Sequence, residues 1–453
     1  MLSFYLPGQR DNRSSPIKTM RNGRLTNQIN GGLYMKEGKV IVVIHRFGDY
    51  IFGGFVNYAS VIDHSLNRVV YLVNARGHQD ISEYRDQAAG VHELSDIEDY
   101  PALEAAMQST VEEYGHVDLL FAMSEFDQIN AAKLRTQFNI PGTSAEKIAL
   151  YRDKIVMKER IQSDGLRIPK FLDYQTSAEA ISFAEETGYP VILKPKLGAA
   201  SQGVSKAHNR AELEEILAAI EAADETESFQ CEEFVTGPIF HIDGLVQHGE
   251  LQFIAISQYV NGCFAFSQGL PNGSFIVTDR LPLKNRLTSF TEEVLKSLEL
   301  SNGCFHLEVI DRNGQEAVFL EIGARMGGAE TPFLTLELYG VNLCEEWIRI
   351  ELGTFEKLTI PETGIHGGLL QFPEPPCVPA EVVHVTSIKD LIPEIFHEQI
   401  PQPGEIMDGK GSYYHISGRY MFRGNSEAEV EAAIHKAIEL FHIEAKPLEA
   451  SAV

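Results

Sequence analysis

Two apolar segments that each carry a glutamate lie close together near the middle of the chain. Residues 305–308 (FHLE) end in Glu308, and residues 319–325 (FLEIGAR) contain Glu321. The turn-forming cluster at 311–314 (DRNG) separates them, so the pattern predicts a β-hairpin. Because each glutamate follows an apolar run, we expect both carboxylates to point into one enclosed site. Two carboxylates buried together are costly without a neutralising cation, and hard oxygen ligands of this kind suit Mg²⁺.

An arginine follows the second glutamate of this hairpin. Arg325 supplies a planar cationic group that can bind a carboxylate or a phosphate through two parallel hydrogen bonds. The hairpin alone also fits a simpler interpretation, in which Glu308 and Glu321 lie on a solvated sheet face. Segments further upstream favour the functional interpretation.

A lysine and a loop of small residues follow one another upstream. Residues 190–195 (PVILKP) form a β-rich run that carries Lys194, and residues 198–204 (GAASQGV) come directly after it. Such a loop can bring backbone N–H groups close to phosphate oxygens, and a nearby lysine adds a point charge. A Gly/Ala/Ser loop alone is weak evidence, because most are ordinary turns.

A third segment completes an ordered series of motifs. Residues 229–235 (FQCEEFV) predict a short strand, and Lys154 stands upstream at the start of a helix that Asp153 can cap. The order is therefore helix lysine, strand lysine, small-residue loop, Glu-Glu strand, and paired glutamates before an arginine. This order resembles the ATP-grasp superfamily of carboxylate–amine ligases. More narrowly, it is similar to the L-amino acid ligase branch, which makes dipeptides, over roughly residues 120–350.

The resemblance implies an ATP site with Mg²⁺, and it gives each matching residue a role. Contacts to the ATP phosphates are implied for Lys154, Lys194, Ser201 and Gly203. Contacts to adenine are implied for the side chain of Glu232 and the backbone of Glu233 and Val235. The resemblance implies Mg²⁺ ligands at Glu308 and Glu321, and a contact to the acyl phosphate or the substrate carboxylate at Arg325.

The sequence departs from the family pattern at two positions. Many members carry an acid for the ribose hydroxyls where this chain has Ile239. His241 is the nearest replacement and becomes the implied ATP contact, although it also fits a strand histidine with satisfied hydrogen bonds. Many members read Glu-x-Asn before the arginine, with the Asn as a further metal ligand, but here that position is Gly323. The number of Mg²⁺ ions therefore stays open.

The first third of the chain predicts a separate sheet. The buried-type runs at 39–44, 68–73 and 117–123 alternate with helical stretches, which indicates an open α/β, Rossmann-like domain over 35–150. Glu125 comes just past the last of these strands, where sheets of this type usually bind ligands. It is a candidate substrate contact, and the alternative is a solvated loop acid.

The remaining boundaries follow from composition and motif positions. We predict a disordered tail or upstream extension over 1–34, which is polar and basic and lacks the apolar core of a secretory signal. A small lid subdomain of the ATP-grasp fold is predicted over 151–237. A catalytic and C-terminal domain with a larger antiparallel sheet is predicted over 238–453, with an amphipathic helix at 427–442 packed on the sheet. The predicted fold class is thus α/β and α+β.

Charge and cysteine content limit the partners. At 453 residues the chain has room for about three domains. The formal net charge of −26 argues against a nucleic acid or an anionic membrane as a partner. Five cysteines without metal-ligand spacing indicate free thiols in a reducing cytoplasm, and no apolar run is long enough to span a bilayer. Small amino acid substrates are the expected partners, and a homodimer is left open.

The sequence predicts an enzyme of the acid–amino-acid ligase type. A substrate carboxylate would attack the γ-phosphate of ATP, and an amine would displace phosphate from the resulting acyl phosphate. The expected products are a dipeptide, ADP and phosphate, although the sequence does not reveal which amino acids are joined. Two alternatives stay open: another ATP-grasp ligase of the purine-pathway or carboxylase type, and a nucleotide-binding module without catalysis.

Overall fold

The computed structural model describes most of the chain after residue 37 and the backbone of four short strands before it. The described ranges after residue 37 are 38–46, 56–198, 201–223, 228–361, 364–409 and 416–448.

Four short strands lie within the segment that the sequence predicts to be a disordered tail. They pair as β1 with β2 and β3 with β4, and the sequence between the partners contains Asn22-Gly23 and Asn30-Gly31, which favour tight hairpin turns. The rest of 1–34 lies outside the described residues, so disorder stays a prediction there. The strands are β1 (Met20–Arg21), β2 (Arg24–Leu25), β3 (Asn27–Ile29) and β4 (Gly32–Tyr34).

A parallel sheet forms the next unit, as the apolar runs predict. Its strands stand in the order β7-β6-β5-β8, and all three pairings are parallel. Every residue of the central strand β5 is buried, which matches its continuous apolar sequence. The strands are β5 (Val40–His45), β6 (Arg68–Val73), β7 (Gly90–Glu93) and β8 (Leu119–Ala122). The helices are α1 (Tyr58–Val61), α2 (Ala75–Asp80), α3 (Tyr100–Tyr114) and α4 (Gln128–Phe138), with 3₁₀ turns at Arg85–Gln87 and Glu125–Asp127.

A small antiparallel sheet follows, with strand order β11-β10-β12-β9. The helix that carries Lys154 starts at a side-chain cap, because the Asp153 carboxylate accepts from the amides of Ile155 and Val156 at 2.9 and 3.3 Å. The elements are α5 (Ala149–Arg152), α6 (Lys154–Ser163), β9 (Phe171–Leu172), α7 (Ser177–Thr187), β10 (Val191–Pro195), β11 (Ser205–Ala207), α8 (Arg210–Ala222) and β12 (Phe229–Glu233).

An eight-stranded antiparallel sheet forms the body of the C-terminal part, in the order β17-β16-β13-β14-β15-β18-β22-β20. Its strands are β13 (Ile239–Gln247), β14 (Glu250–Asn261), β15 (Asn272–Ile276), β16 (Gly303–Arg312), β17 (Glu316–Gly323), β18 (His366–Phe372), β20 (Ile395–Gln399) and β22 (Gly418–Gly424). A second, three-stranded sheet contains β19 (Ala380–Val385), β21 (Ile406–Met407) and β23 (Ile443–Pro447). The helices are α9 (Cys263–Ser267), α10 (Leu281–Ser297), α11 (Thr331–Tyr339), α12 (Leu343–Leu352) and α13 (Glu427–Leu440), with a 3₁₀ turn at Lys389–Leu391.

Strand alternation gives the centre of the large sheet one apolar face and one polar face. Side chains on β13 and β16 alternate between the two faces, since successive strand residues point in opposite directions. The apolar face packs with α10 and α6 in a core that includes Phe240, Ile242, Phe305 and Leu307. The polar face carries His241, Asp243, His306 and Glu308.

The predicted hairpin is present as β16 and β17. Glu308 pairs directly opposite Glu321, and a bulge leaves Leu320 as an extra residue in the register. The predicted C-terminal helix is also present: Val430 and Ile434 of α13 pack into a core on the same sheet. Within the described ranges, the chain has no helix with the length and apolar character needed to cross a membrane.

Gly244 on β13 tests the tight packing of the large sheet. A Cβ at this position would lie 2.4 Å from the Phe253 carbonyl oxygen and 2.5 Å from Cζ of Phe305. We expect Gly244→Ala to lower the free energy of unfolding by about 1–3 kcal/mol, the usual cost of overpacking. Gly90→Ala is the matched control, because its nearest neighbouring atoms are Val70 methyl groups at 3.6 and 3.7 Å. Chemical denaturation should separate the two variants, and equal stabilities would contradict the packing argument.

Candidate active site

A cleft of about 160 Å³ opens between the small antiparallel sheet and the polar face of the large sheet. Eight residues that the sequence analysis selected line this cleft. They are Lys154, Lys194, Ser201, Glu232, Glu233, Val235, Glu308 and Glu321. The structure thus brings together side chains that are up to 167 positions apart in the sequence, from Lys154 to Glu321.

Apolar side chains make the other walls of the cleft. A slot of this composition suits a flat ring system, with a few polar groups left to orient it. The apolar lining comes from Ile192, Val204, Phe234, Ile239, Phe264, Ile310 and Leu320.

Two lysines hold the Glu232 carboxylate at the buried end of the cleft. Lys194 Nζ lies 2.9 Å from one carboxylate oxygen, and Lys158 donates to the other. Burial alone would raise the pKa of Glu232, but the two ammonium groups lower it below its usual range. Burial alone would lower the pKa of Lys194, but Glu232 and the hairpin glutamates raise it.

Lys158 is a residue of this site that the sequence motifs do not single out. Its side chain is fully buried, and it also donates to the Gln230 side chain at 3.2 Å. The available signal was the spacing to Lys154, because residues four apart lie on the same face of a helix. A second lysine on that face of α6 indicates that the neighbouring sheet carries more than one anionic partner.

Glu308 and Glu321 form an acid pair across the hairpin. The Tyr259 hydroxyl donates to Glu308 at 2.9 Å, and Nε2 of His306 lies 3.8 Å from the same oxygen. Burial alone would raise the pKa of Glu308, but His306 and Tyr259 lower it, which keeps the carboxylate ionised. Lys154 Nζ lies 3.7 Å from Glu321. Two carboxyl groups side by side offer the oxygen donors that Mg²⁺ prefers, so the donor set fits that ion.

A buried hydrogen-bonded network lies beside the acid pair. Asp243 binds Nδ1 of His241 at 2.7 Å with one oxygen and Nδ1 of His306 at 2.8 Å with the other. The second ring nitrogen of His241 meets the Ser274 hydroxyl at 2.9 Å. Asp243 raises the pKa of His306 to about 9 against the opposing effect of burial. His241, Asp243 and His306 have the donor types of a metal site, but both histidines already bind Asp243 through Nδ1.

This network corrects the expectation that His241 contacts the ribose. His241 is not among the residues that line the cleft, and both of its ring nitrogens bind buried partners. His241 stands opposite Glu308 in the register, and residues of β13 alternate between the two faces of the sheet. The His241 ring therefore lies on the polar face, among the side chains that support the acid pair.

A smaller pocket adjoins the cleft and shares Lys154, Gly198 and Glu321 with it. Here Glu125, at the carboxyl end of β8, accepts from Arg152 with one oxygen and from Arg325 with the other. Although burial alone would raise it, the two guanidinium groups lower the pKa of Glu125 to about 2. Glu125, the candidate substrate contact at this strand end, and Arg325 therefore line the same pocket.

Gly323 explains how Glu125 reaches this position. A Cβ at residue 323 would lie 3.1 Å from the nearer Glu125 oxygen and 3.2 Å from Cγ of Arg325. A side chain as large as asparagine would therefore compete with the Glu125–Arg325 pair for the same space. The departure from the family's Glu-x-Asn pattern thus has a local steric reason.

Described residues of the small-residue loop line the cleft: Gly198, Ser201, Gln202 and Val204. Ser201 and Gly203 both have left-handed backbone conformations, with φ of 56° and 70°. Gly203 does not itself line the cleft, and its missing side chain prevents a clash, since a Cβ would lie 2.8 Å from Cγ of Pro195. Residues 199 and 200 of the predicted loop lie outside the described residues.

The family model for the ATP-grasp domain matches residues 187–332, a segment that contains the strand lysine, the Glu-Glu strand and the acid pair. This chain contains an ATP-grasp domain. The ATP-grasp protein has the predicted fold class, with an N-terminal parallel α/β sheet, a small antiparallel sheet and a large antiparallel sheet.

Named relatives place this ATP-grasp protein among the carboxylate–amine ligases, as predicted. It is 24% identical over 357 residues to an L-arginine-specific L-amino acid ligase of Bacillus subtilis, which covers 77% of this chain and 85% of the relative. It is 29% identical over 208 residues to dapdiamide A synthase of Enterobacter agglomerans, over 43% of this chain and 47% of that protein. The chain thus spans about half the length of the second relative.

Solved structures agree with this ATP-grasp fold. The L-amino acid ligase of Bacillus licheniformis matches with a TM-score of 0.69 at 19% identity, over 90% of this chain and 99% of the other. The phosphoribosylglycinamide synthetase of Anaerococcus prevotii matches with a TM-score of 0.61 at 13% identity, over 90% of this chain and 100% of the other.

Glu125 should make part of the stability depend on pH. Its pKa is about 2 in the folded chain against an ordinary value of 4.5, so its stabilising effect is complete above pH 4.5 and is lost as the pH falls toward 2. We expect the difference in unfolding free energy between the natural chain and Glu125→Gln to shrink over this interval, by up to about 1.4 kcal/mol per pH unit. Urea denaturation at several pH values measures it.

The exposed Glu250→Gln variant is the control for this comparison. Its stability difference from the natural chain should stay nearly constant over the same interval. A constant difference for Glu125→Gln as well would contradict the assignment of a strongly ionised, doubly paired carboxylate.

Proposed function

We propose that this ATP-grasp ligase joins two L-amino acids into a dipeptide through an acyl phosphate, with release of ADP and phosphate. The observation that carries the proposal is the pocket beside the acid pair, where Arg325 and Glu125 present opposite charges side by side. An amino acid carries a carboxylate and an ammonium group on one carbon, so such a pair suits both of its charges. The names of the relatives support the same substrate class.

In this proposal the cleft holds ATP. Lys154, Lys194 and the loop with Ser201 and Gly203 would contact the phosphates. The adenine ring would lie in the apolar slot with its amino group toward Glu232. The backbone amide of Glu233 donates to the Lys170 carbonyl at 2.8 Å, so the Glu233 carbonyl and the Val235 amide would meet the adenine edge.

Glu308 and Glu321 would hold Mg²⁺. When bound, the ion neutralises charge on the phosphate oxygens. The buried network around Asp243 keeps Glu308 ionised and oriented for this role, through His306 on one side and Tyr259 on the other.

The proposed reaction has two steps. Arg325 orients the carboxylate of the first amino acid, whose oxygen attacks the γ-phosphorus while the bond to the β,γ-bridging oxygen breaks and ADP leaves. The neutral amine of the second amino acid then attacks the acyl carbon, phosphate leaves with the former carboxylate oxygen, and the nitrogen loses a proton. Positioning and charge neutralisation supply most of the catalysis in such transfers. Glu125 would bind the ammonium group of the first amino acid.

Incubation with Mg²⁺, ATP and amino acids in all pairs tests the product. We expect ADP, phosphate and one or more dipeptides in equal amounts, because the γ-phosphate is the group nearest the acid pair in the proposed arrangement. Chromatography measures the nucleotides and mass spectrometry measures the peptides. Stoichiometric AMP would overturn the acyl-phosphate route. ADP formed only with acids or amines other than amino acids would assign another ATP-grasp ligase, and the absence of turnover would favour a nucleotide-binding module.

Glu321→Gln tests the metal assignment. Loss of one carboxylate removes part of the metal site, so we expect turnover to fall at least about a hundredfold, as the loss of several kcal/mol of charge stabilisation implies. The matched control is Glu316→Gln on the same strand β17, since Glu316 lies at the hairpin turn and pairs with Arg312 at 3.5 Å. Thermal unfolding should show both variants folded. Normal turnover in folded Glu321→Gln would sink the metal assignment.

A further inference from the structure

Lys158 is a buried cation that the proposed reaction does not use. Its side chain is fully buried, and its ammonium group binds Glu232 and Gln230 while lying 5.6 Å from the ring centre of Phe171. A buried lysine is costly unless it is paired, so its partner should explain its presence. That partner is the carboxylate that the proposed function places at the adenine amino group.

Glu232 has two cationic partners on two different elements. Lys194 on β10 binds one oxygen, and Lys158 on α6 binds the other. The two lysines differ in their surroundings, because Lys194 lines the cleft and Lys158 does not. Of the two lysines, only Lys194 can therefore release Glu232 and bind a ligand in the cleft instead.

Such an exchange would change the charge balance. When Lys194 turns toward a phosphate, Glu232 keeps a single cation if Lys158 is present and none if it is absent. A buried carboxylate without a partner is strongly unfavourable, so in the second case phosphate and Glu232 would compete for one lysine. Burial lowers the pKa of Lys158 to about 7, although Glu232 raises it, and Lys194 lowers it as well. Movement of Lys194 toward a phosphate would therefore favour the protonated form of Lys158.

We propose that Lys158 is a positioning residue that stays on Glu232 while Lys194 binds nucleotide phosphate, and that it thereby keeps Glu232 an ionised acceptor that selects adenine over guanine. This inference rests on the proposed nucleotide site. An ionised carboxylate only accepts hydrogen bonds. It matches the amino group of adenine and repels the carbonyl oxygen that guanine has at the same ring position.

The test measures binding of ATP, GTP and adenosine to the full chain with Mg²⁺ by calorimetry. Lys158→Met should weaken the binding of ATP at least about tenfold. It should lower the ratio of ATP affinity to GTP affinity by a similar factor. The binding of adenosine should weaken less than about threefold, because adenosine has no phosphates and Lys194 stays paired with Glu232. If Lys158 had only a structural role, the variant would bind ATP and adenosine more weakly by the same factor, and the ratio of ATP affinity to GTP affinity would be unchanged.

Three further variants keep the test decisive. Lys158→Arg should retain the preference for ATP, since it keeps a cation beside Glu232. The double variant Lys158→Met with Glu232→Gln should bind ATP better than Lys158→Met alone, because no buried charge is left unpaired. Its preference for ATP should stay low, since an amide can donate as well as accept. Lys296→Met, on the exposed side of α10, is the matched control and should behave like the natural chain.

The outcomes separate the inference from the proposed function. If the natural chain binds neither ATP nor adenosine, the nucleotide site itself is wrong. If it binds ATP and the Lys158→Met variant binds ATP, GTP and adenosine with unchanged affinities, only the role of Lys158 is overturned. Should Lys158→Met fail to fold in thermal unfolding, the double variant decides, and an unchanged ATP to GTP ratio in it would overturn the proposal.

Discussion

The candidate active site depends on the compensation of buried carboxylates by nearby cations. Glu125, Glu232 and Glu308 are all ionised despite burial, because guanidinium, ammonium or imidazolium groups lower their pKa values. Each of these acids would destabilise the chain without its partner. The arrangement of the site is therefore a set of linked charge pairs, and the elements that carry the partners are held in place by them.

These pairs also tie the parts of the chain together. Glu125 follows the last strand of the parallel sheet, whereas Arg152 lies on α5 and Arg325 follows β17 of the large sheet. One carboxylate thus binds two elements that are separate in the sequence, and Gly323 leaves the space for it. Function and folding share this contact, since the same carboxylate and guanidinium groups form the pocket proposed for the amino acid.

The sequence predicted the parts of the site that follow from local patterns. The DRNG turn between two apolar runs fixes the hairpin, and strand pairing then places Glu308 opposite Glu321. His241 shows the limit of such reasoning, because its face and its partners depend on the register with β16 and on Ser274, 33 positions away. Lys158 shows another limit, since a helix lysine is exposed by default and only tertiary packing against β12 buries it.

The two cations of the charge network that line the cleft and the adjoining pocket have a feature in common. Lys194 faces the cleft while it binds Glu232, and Arg325 faces the adjoining pocket while it binds Glu125. In both cases a carboxylate of the protein is paired with the cation that a phosphate or a substrate carboxylate would bind. Because the cation is already desolvated and oriented by that carboxylate, a ligand that replaces it meets a prepared partner. The displaced carboxylate keeps a second cation, Lys158 in the cleft and Arg152 in the pocket. In the proposed reaction, a second cation on each carboxylate would therefore allow the cation in the pocket wall to bind a ligand at low cost.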